Sequence, residues 1–167
     1  MTNGAAAATG EQTGKRETDI GVREILIAGG AGFVGMVAMV PFFAVGYALG
    51  VISPDAFAGL AELLGVPAES SLAFPLGAFI FVGGGMTTLP ILFVSLAEFL
   101  PPARSTALRG VTYAVIIWTG FLIAFWTGQT GLLLWGYVLV SLLAHVAYGY
   151  VLGSLFLRYA HIPRYEV

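Results

Sequence analysis

His145 is the only side chain besides tyrosine that can titrate within a 48-residue stretch, Gly110 to Leu157, that carries no charge. Ser141, His145, Gly149 and Gly153 recur at every fourth position, which places them on one stripe of a helix. An ionisable group in such surroundings raises a functional question by default. An imidazole there could relay a proton, ligate haem or copper, or form part of a solute site. Met36, Met39 and Met86 could add soft donors to a metal. The plainer role is an interhelical hydrogen bond, with Ser141, Thr87, Thr88 or Tyr148 as its partner. No second histidine lies in an apolar stretch, and methionine in apolar helices is commonly filler, so no metal or other cofactor is expected.

A second motif suggests different chemistry. Residues 25–35, ILIAGGAGFVG, contain Gly30-x-Gly32-x-x-Gly35, and Asp55 follows at about the distance of a ribose-binding acid. A dinucleotide site, however, needs alternating strands and helices, and a helix with one wet face after the turn. Here the following residues, FVGMVAMVPFFAVGYALG, have Tyr47 as their one polar side chain. Dehydrogenase chemistry that pairs tyrosine with lysine four residues later is also absent, because the sole lysine is Lys15. No nucleotide is therefore expected. In a membrane helix, small residues four apart let neighbouring backbones approach closely. Ala28 with Gly32, Ala31 with Gly35, Gly46 with Gly50, and Gly149 with Gly153 have that spacing. Gly32, Gly35, Gly46, Gly50, Gly84, Gly149 and Gly153 are accordingly expected to be packing positions.

The elements that must position these residues follow from composition. The chain has 167 residues, of which 58% are hydrophobic and 10% charged, with a mean hydropathy of +0.91. It has no cysteine, which excludes disulfides, thiolate metal sites and a cysteine nucleophile. Its net charge of −2 recommends no nucleic acid partner. Charge is absent from Ile25 to Ile52, Leu72 to Ala97 and Gly110 to Leu157. The first two stretches exceed the roughly 20 residues that cross about 30 Å of hydrocarbon. The third would be roughly 70 Å long as one helix, so it must fold back, and Thr127-Gly128-Gln129-Thr130-Gly131 supplies the turn. The expectation is an all-α, four-transmembrane-helix bundle, with helices at about 24–51, 72–99, 107–127 and 131–158.

Lys15, Arg16 and Arg23 precede the first helix, Arg104 and Arg109 join the second to the third, and Arg158 and Arg164 follow the fourth. The other two connections carry no Lys or Arg. The positive-inside rule then makes both termini cytoplasmic in a multi-pass protein of the cell membrane. Residues 1–20 have no apolar periodicity and are expected to form a disordered tail ahead of a membrane domain at 21–167. Residues 53–66 predict a short amphipathic helix on the outer surface, begun by Ser53 and Pro54 and ended by Gly65. Phe57, Leu60, Leu63 and Leu64 would form its apolar side, with Asp55 and Glu62 facing water. In the second membrane helix, Gly83-Gly84-Gly85 and Pro90 predict a local bend or a tight crossing. Broken helices are where transporters place binding sites, but a packing kink is the commoner explanation and no charged coordinating group lies beside it. Trp126 and Trp135 flank the outer turn as an aromatic belt would.

The pattern His145-x-x-Tyr148-Gly149-x-x-Leu152-Gly153, with GGAGFVGMVAM in the first helix and the outer segment ending LAELLG, resembles an uncharacterised family of small four-helix membrane proteins from bacteria and halophilic archaea. The resemblance covers most of residues 25–158. Members of that family often carry a histidine in the second helix, where this chain has Phe79, Ile80 and Phe81, so a two-histidine site is not expected. Some members look like companions of respiratory oxidase components. With no catalytic constellation in the sequence, the leading expectation is a non-enzymatic accessory or assembly subunit. It would pack in the bilayer against other membrane subunits or a second copy of itself. The alternative is a small solute or proton carrier or channel built on the bend and His145.

Overall fold

Segments without charge or a polar face have no stable exposed form except a helix surrounded by lipid, since each helix satisfies its own backbone. The computed structural model of the protein describes residues 21–159, and the expected tail at 1–20 lies outside the described residues. Every element among the described residues is helical. Helix α1 spans Val22–Ala48, α2 Asp55–Glu62, α3 Ala73–Met86, α4 Thr88–Leu96, α5 Thr106–Ala124 and α6 Gly131–Tyr159, with a 3₁₀ turn at Ala97–Phe99 closing α4. Helix α1, the run Ala73–Phe99, α5 and α6 are each long and apolar enough to cross a membrane. The protein is thus a multi-pass membrane bundle.

Helix α6 is the hub, with 44% of its most apolar window inside the bundle against 22–28% for the other spans. Its buried residues, Tyr137, Ser141, Ala144, His145, Tyr148, Gly149, Leu152, Gly153 and Phe156, step by one, three or four, giving a broad face that meets α1 and α5. Gly149 is required on the α5 side: a Cβ there would run into the Gly110 carbonyl and, at 2.5 Å, the Ala114 methyl. The two backbones meet directly. Such contacts hold helices together in lipid, where apolar burial alone gives little drive, because lipid tails are as apolar as leucine.

The second span departs from a single helix over 72–99. It breaks at Thr87, which has φ −121° and ψ −69°. Pro90 is the cause: it has no N–H for the Met86 carbonyl, and its ring excludes that carbonyl from the usual position. Thr87 Oγ1 turns back and donates to the Gly83 carbonyl at 2.7 Å. Other differences are at the connection between α1 and α2. Helix α1 ends at Ala48 rather than near 51, because Gly50 takes φ +67° while the Gly50 and Val51 N–H groups bond the Tyr47 and Gly46 carbonyls at 3.0 and 2.9 Å. Gly50 is therefore a helix stop and not a packing position.

Helix α2 turns only part of its expected apolar side, Phe57 and Leu60, toward the bundle. Ala56, Ala58 and Ala61 are buried, whereas Leu63 and Leu64 face outward. Small side chains win that face because the α2 backbone itself sits on α3, with the Phe57 carbonyl against Gly77. Phe57 then points inward among Phe43, Phe81 and Phe125. Ser53 Oγ accepts from the Asp55 N–H at 3.2 Å, and Asp55 and Glu62 are exposed as expected. The hairpin between α5 and α6 turns through Gly128 and Gly131, both at positive φ. Gln129 ties it to the neighbouring connection by donating to the Val51 carbonyl at 3.2 Å.

At the opposite end Arg23 donates to the Tyr159 carbonyl at 3.2 Å, so the start of α1 and the end of α6 are neighbours. The up-and-down order of the spans brings Arg104 and Arg109 to this same end. All four described arginines therefore share one end of the bundle.

Candidate functional site

Three of the four spans bring their midpoints to one place. His145 is the central residue of Gly131–Tyr159, Thr87 interrupts Ala73–Phe99 near its middle, and Met36 lies close to the middle of Val22–Ala48. A cavity of about 300 Å³ opens among them. Met36 and Met39 of α1, Gly84 and Gly85 of α3, Thr88 of α4, and His145 and Tyr148 of α6 contribute to its wall. Phe81 and Phe125 form an aromatic side, continued by Phe121 and Phe43. Leu60 of α2 reaches it from the end opposite the arginines, so α2 covers the site.

His145 is 4% exposed, and its ring lies 4.8 Å from that of Phe121. Its Nδ1 is 2.8 Å from the Ser141 carbonyl oxygen one turn earlier. A carbonyl only accepts, so Nδ1 carries a proton, and in the neutral imidazole Nε2 then presents a lone pair. Nε2 has no hydrogen-bond partner among the described residues. Nor is it a sealed polar atom, since no buried side-chain nitrogen or oxygen lacks a partner there. The imidazole is thus held by one nitrogen and available through the other.

The partners expected for His145 are otherwise engaged. The Ser141 hydroxyl accepts from Trp118 Nε1 at 3.0 Å and donates to the Val138 carbonyl at 3.2 Å, so only the Ser141 backbone meets the histidine. Thr87 is committed to Gly83, and exposed Thr88 lines the cavity without bonding the imidazole. Tyr148 donates to the Gly85 carbonyl at 2.7 Å, across from α6 to the residues just before the break. Tyr113 of α5 does the same beyond it, donating to the Leu89 carbonyl at 2.8 Å. Two buried phenols therefore clamp the broken span from either side, and the Tyr148 bond gives the Gly85 carbonyl a donor where the helix is interrupted.

The glycines divide by role. Gly32 seats the break: its bare Cα admits the Pro90 ring and leaves the Gly85 and Met86 carbonyl oxygens 2.8 and 3.0 Å from where a Cβ would be. Gly35 admits the Tyr148 ring, Gly46 admits Ile52, and Gly153 meets the backbone of Thr106 and Ala107. Gly84 has nothing within 4 Å of a Cβ, so it is part of the cavity wall rather than a helix contact. Met86 is not among the cavity-lining residues, unlike Met36 and Met39. Asp55 stands at the α2 end, across the bundle from Arg23, while Gly30 lies within the first half of α1 and forms no turn.

The aromatic wall and Tyr113 were not singled out from the sequence. Phe81, Phe121 and Phe125 carry no signal, being apolar among apolar neighbours. Tyr113 does carry one, because a phenol far from either end of a span needs an acceptor. A larger groove of about 800 Å³ lies between α1 and α6 at the arginine end, but its lining, from Val22 and Leu26 to Leu155, is largely aliphatic. Among the described residues no three His, Asp or Glu side chains come together in a way that could hold a metal ion.

No curated protein and no solved structure matches the chain. The pattern of one family does match, over residues 22–167, which takes in all six helices, the break and the histidine. The protein belongs to DUF6789, a family of unknown function.

Proposed function

We propose that this protein is an intramembrane binding protein of carrier type, which takes a small solute into the His145 cavity beside the broken second span. One observation carries the proposal: His145, oriented by Ser141 through Nδ1 and with Nε2 left unbonded, lines a cavity at the depth of the break. Broken spans supply binding sites in transporters because they free polar backbone at the midplane and let the two halves move. An apolar cavity with one convergent polar atom is also the ordinary form of a small-ligand pocket. Helix α2, laid over the site through Leu60 and Phe57, is its cover on the outer side. In this reading the arginine end, with both termini, is cytoplasmic and the membrane is that of the cell.

An accessory or assembly role in a larger membrane complex has less support from the packing. Gly32, Gly35, Gly149 and Gly153 contact this chain's own helices, so those small-residue positions are not free for a partner. What then faces outward is a set of apolar side chains such as Leu26, Phe33, Val37 and Ile123, which lipid also satisfies.

The test combines native mass spectrometry of the full chain in mild detergent with thermal unfolding of the same samples. The wild type is expected to retain a small molecule that His145→Ala and Gly84→Leu lose, while Gly84→Leu keeps its stability. A clean unliganded mass for the wild type, with destabilisation as the sole effect of His145→Ala, would make the histidine a structural bond. A second membrane protein eluting in fixed ratio would favour the accessory role.

A further inference from the structure

The donor atoms facing the cavity form a selective set. Met36 and Met39 are three residues apart on α1, so both thioethers lie on one side of the helix, and both line the cavity with His145. Met39 is 2% exposed, and the Met36 sulfur rests against the bare Cα of Gly85. We propose that Met36, Met39 and His145 Nε2 bind one copper(I) ion, which identifies the solute of the carrier reading and rests on that reading.

Ligand type and charge both select this ion. Thioether sulfur with imidazole nitrogen is a soft to borderline set that suits copper(I), while magnesium and calcium require an array of oxygens. The three donors are uncharged, and no residue lining the cavity carries a carboxylate. A divalent ion would keep its full charge in apolar surroundings, and the cost of burying charge grows as its square. A monovalent ion therefore has a large advantage there. The second shell is also in place: metal-binding histidines donate their other ring N–H to a carbonyl or carboxylate, as His145 does to Ser141. The cavity is larger than one ion. Flexible methionine side chains can close on it, and the open space beside Gly84 leaves room for that rotation.

The experiment titrates the full-length protein in detergent, anaerobically, with copper(I) against a chromogenic copper(I) chelator, and records the copper X-ray absorption spectrum. Expected are one ion per chain and a first shell of one nitrogen and two sulfurs. Met36→Leu with Met39→Leu, which nearly conserves volume, should weaken binding at least about tenfold, the loss that follows even from removing an outer partner of a ligand. His145→Ala should abolish it, whereas His161→Ala should leave it unchanged. Affinity unaffected by the methionine pair, or a shell without sulfur, would overturn the copper assignment. So would a wild type that binds no copper yet retains an organic molecule that Gly84→Leu loses, and that outcome would leave the carrier reading standing.

Discussion

Replacing Tyr148 with phenylalanine removes one oxygen and should cost the bundle about 1–2 kcal/mol. The magnitude follows from where the hydroxyl goes. It donates to the Gly85 carbonyl at 2.7 Å, both groups are buried, and the carbonyl lies beside a break that Pro90 prevents the helix from closing. Leaving a buried carbonyl without its donor costs about 1–3 kcal/mol in soluble proteins. Interhelical hydrogen bonds in membranes average only about 0.6 kcal/mol, with a maximum near 1.7, because the separated helices find other partners. Gly85 should fall toward the upper end, since the alternative donor an intact helix could offer lies across the interruption. A double-mutant cycle isolates the effect. Pro90→Ala restores an N–H for the Met86 carbonyl and allows α3 to run into α4, so Tyr148→Phe should cost less in that background, by at least about 0.5 kcal/mol. The assay is reversible unfolding in bicelles or mixed micelles, read by the tryptophan signal. An equal cost in both backgrounds would show that Tyr148 does not serve the break, and a cost near zero in the wild type would show that Gly85 needs no donor.

Gly149→Ala should destabilise by about 1–3 kcal/mol as an overpacked contact, because its methyl meets the backbone of α5 rather than a side chain that can move. Gly30→Ala is its control: a Cβ there meets nothing within 4 Å, so the same assay should give no loss and up to about 1 kcal/mol of gain from helix propensity. Trp118→Phe removes the donor to Ser141 Oγ and should cost about 0.5–1.5 kcal/mol in the same unfolding measurement, with little change in affinity for whatever the cavity holds. Phe57→Ala should uncover the site by removing the α2 ring from Phe81 and Phe125, and hydrogen exchange in α2 should rise while exchange in α6 stays unchanged.

Spans, turns and the end that holds the arginines were legible because each rests on a strong one-dimensional signal: absence of charge, a Gly-rich polar cluster, and the placement of seven cations. Rotation of the helices was less so. A soluble helix announces its buried face through polar residues on the other, but lipid and protein interiors are both apolar, and hydrophobicity no longer distinguishes them. The faces could be read only where a small or polar residue broke the uniformity. Gly149 and Gly153 interrupt the uniformity of α6 on the side that meets α5, whereas Phe81, Phe121 and Phe125 are apolar among apolar neighbours. The apolar side of α2 divides for the same reason: Phe57 and Leu60 turn to the bundle, Leu63 and Leu64 turn outward, and Ala56, Ala58 and Ala61 give the closer backbone contact.

The same physics explains why the functional question centres on so few atoms. In a bundle whose interior is almost uniformly apolar, every buried polar group must be matched or it destabilises the fold. Tyr113, Tyr137, Tyr148, Ser141 and Trp118 are each matched, three of the five to backbone carbonyls on other elements or on the far side of a turn. His145 is matched at one nitrogen only, and its ring lines the cavity beside the break. A purely structural histidine would gain by closing that second bond or by being replaced with an apolar residue of similar size. His145→Gln and His145→Leu separate the two possibilities. A structural role predicts that Leu is the milder change in the unfolding assay, since an unmatched polar group is then removed. A binding role predicts that both variants keep the fold within about 1–2 kcal/mol while the occupant of the cavity is lost from both.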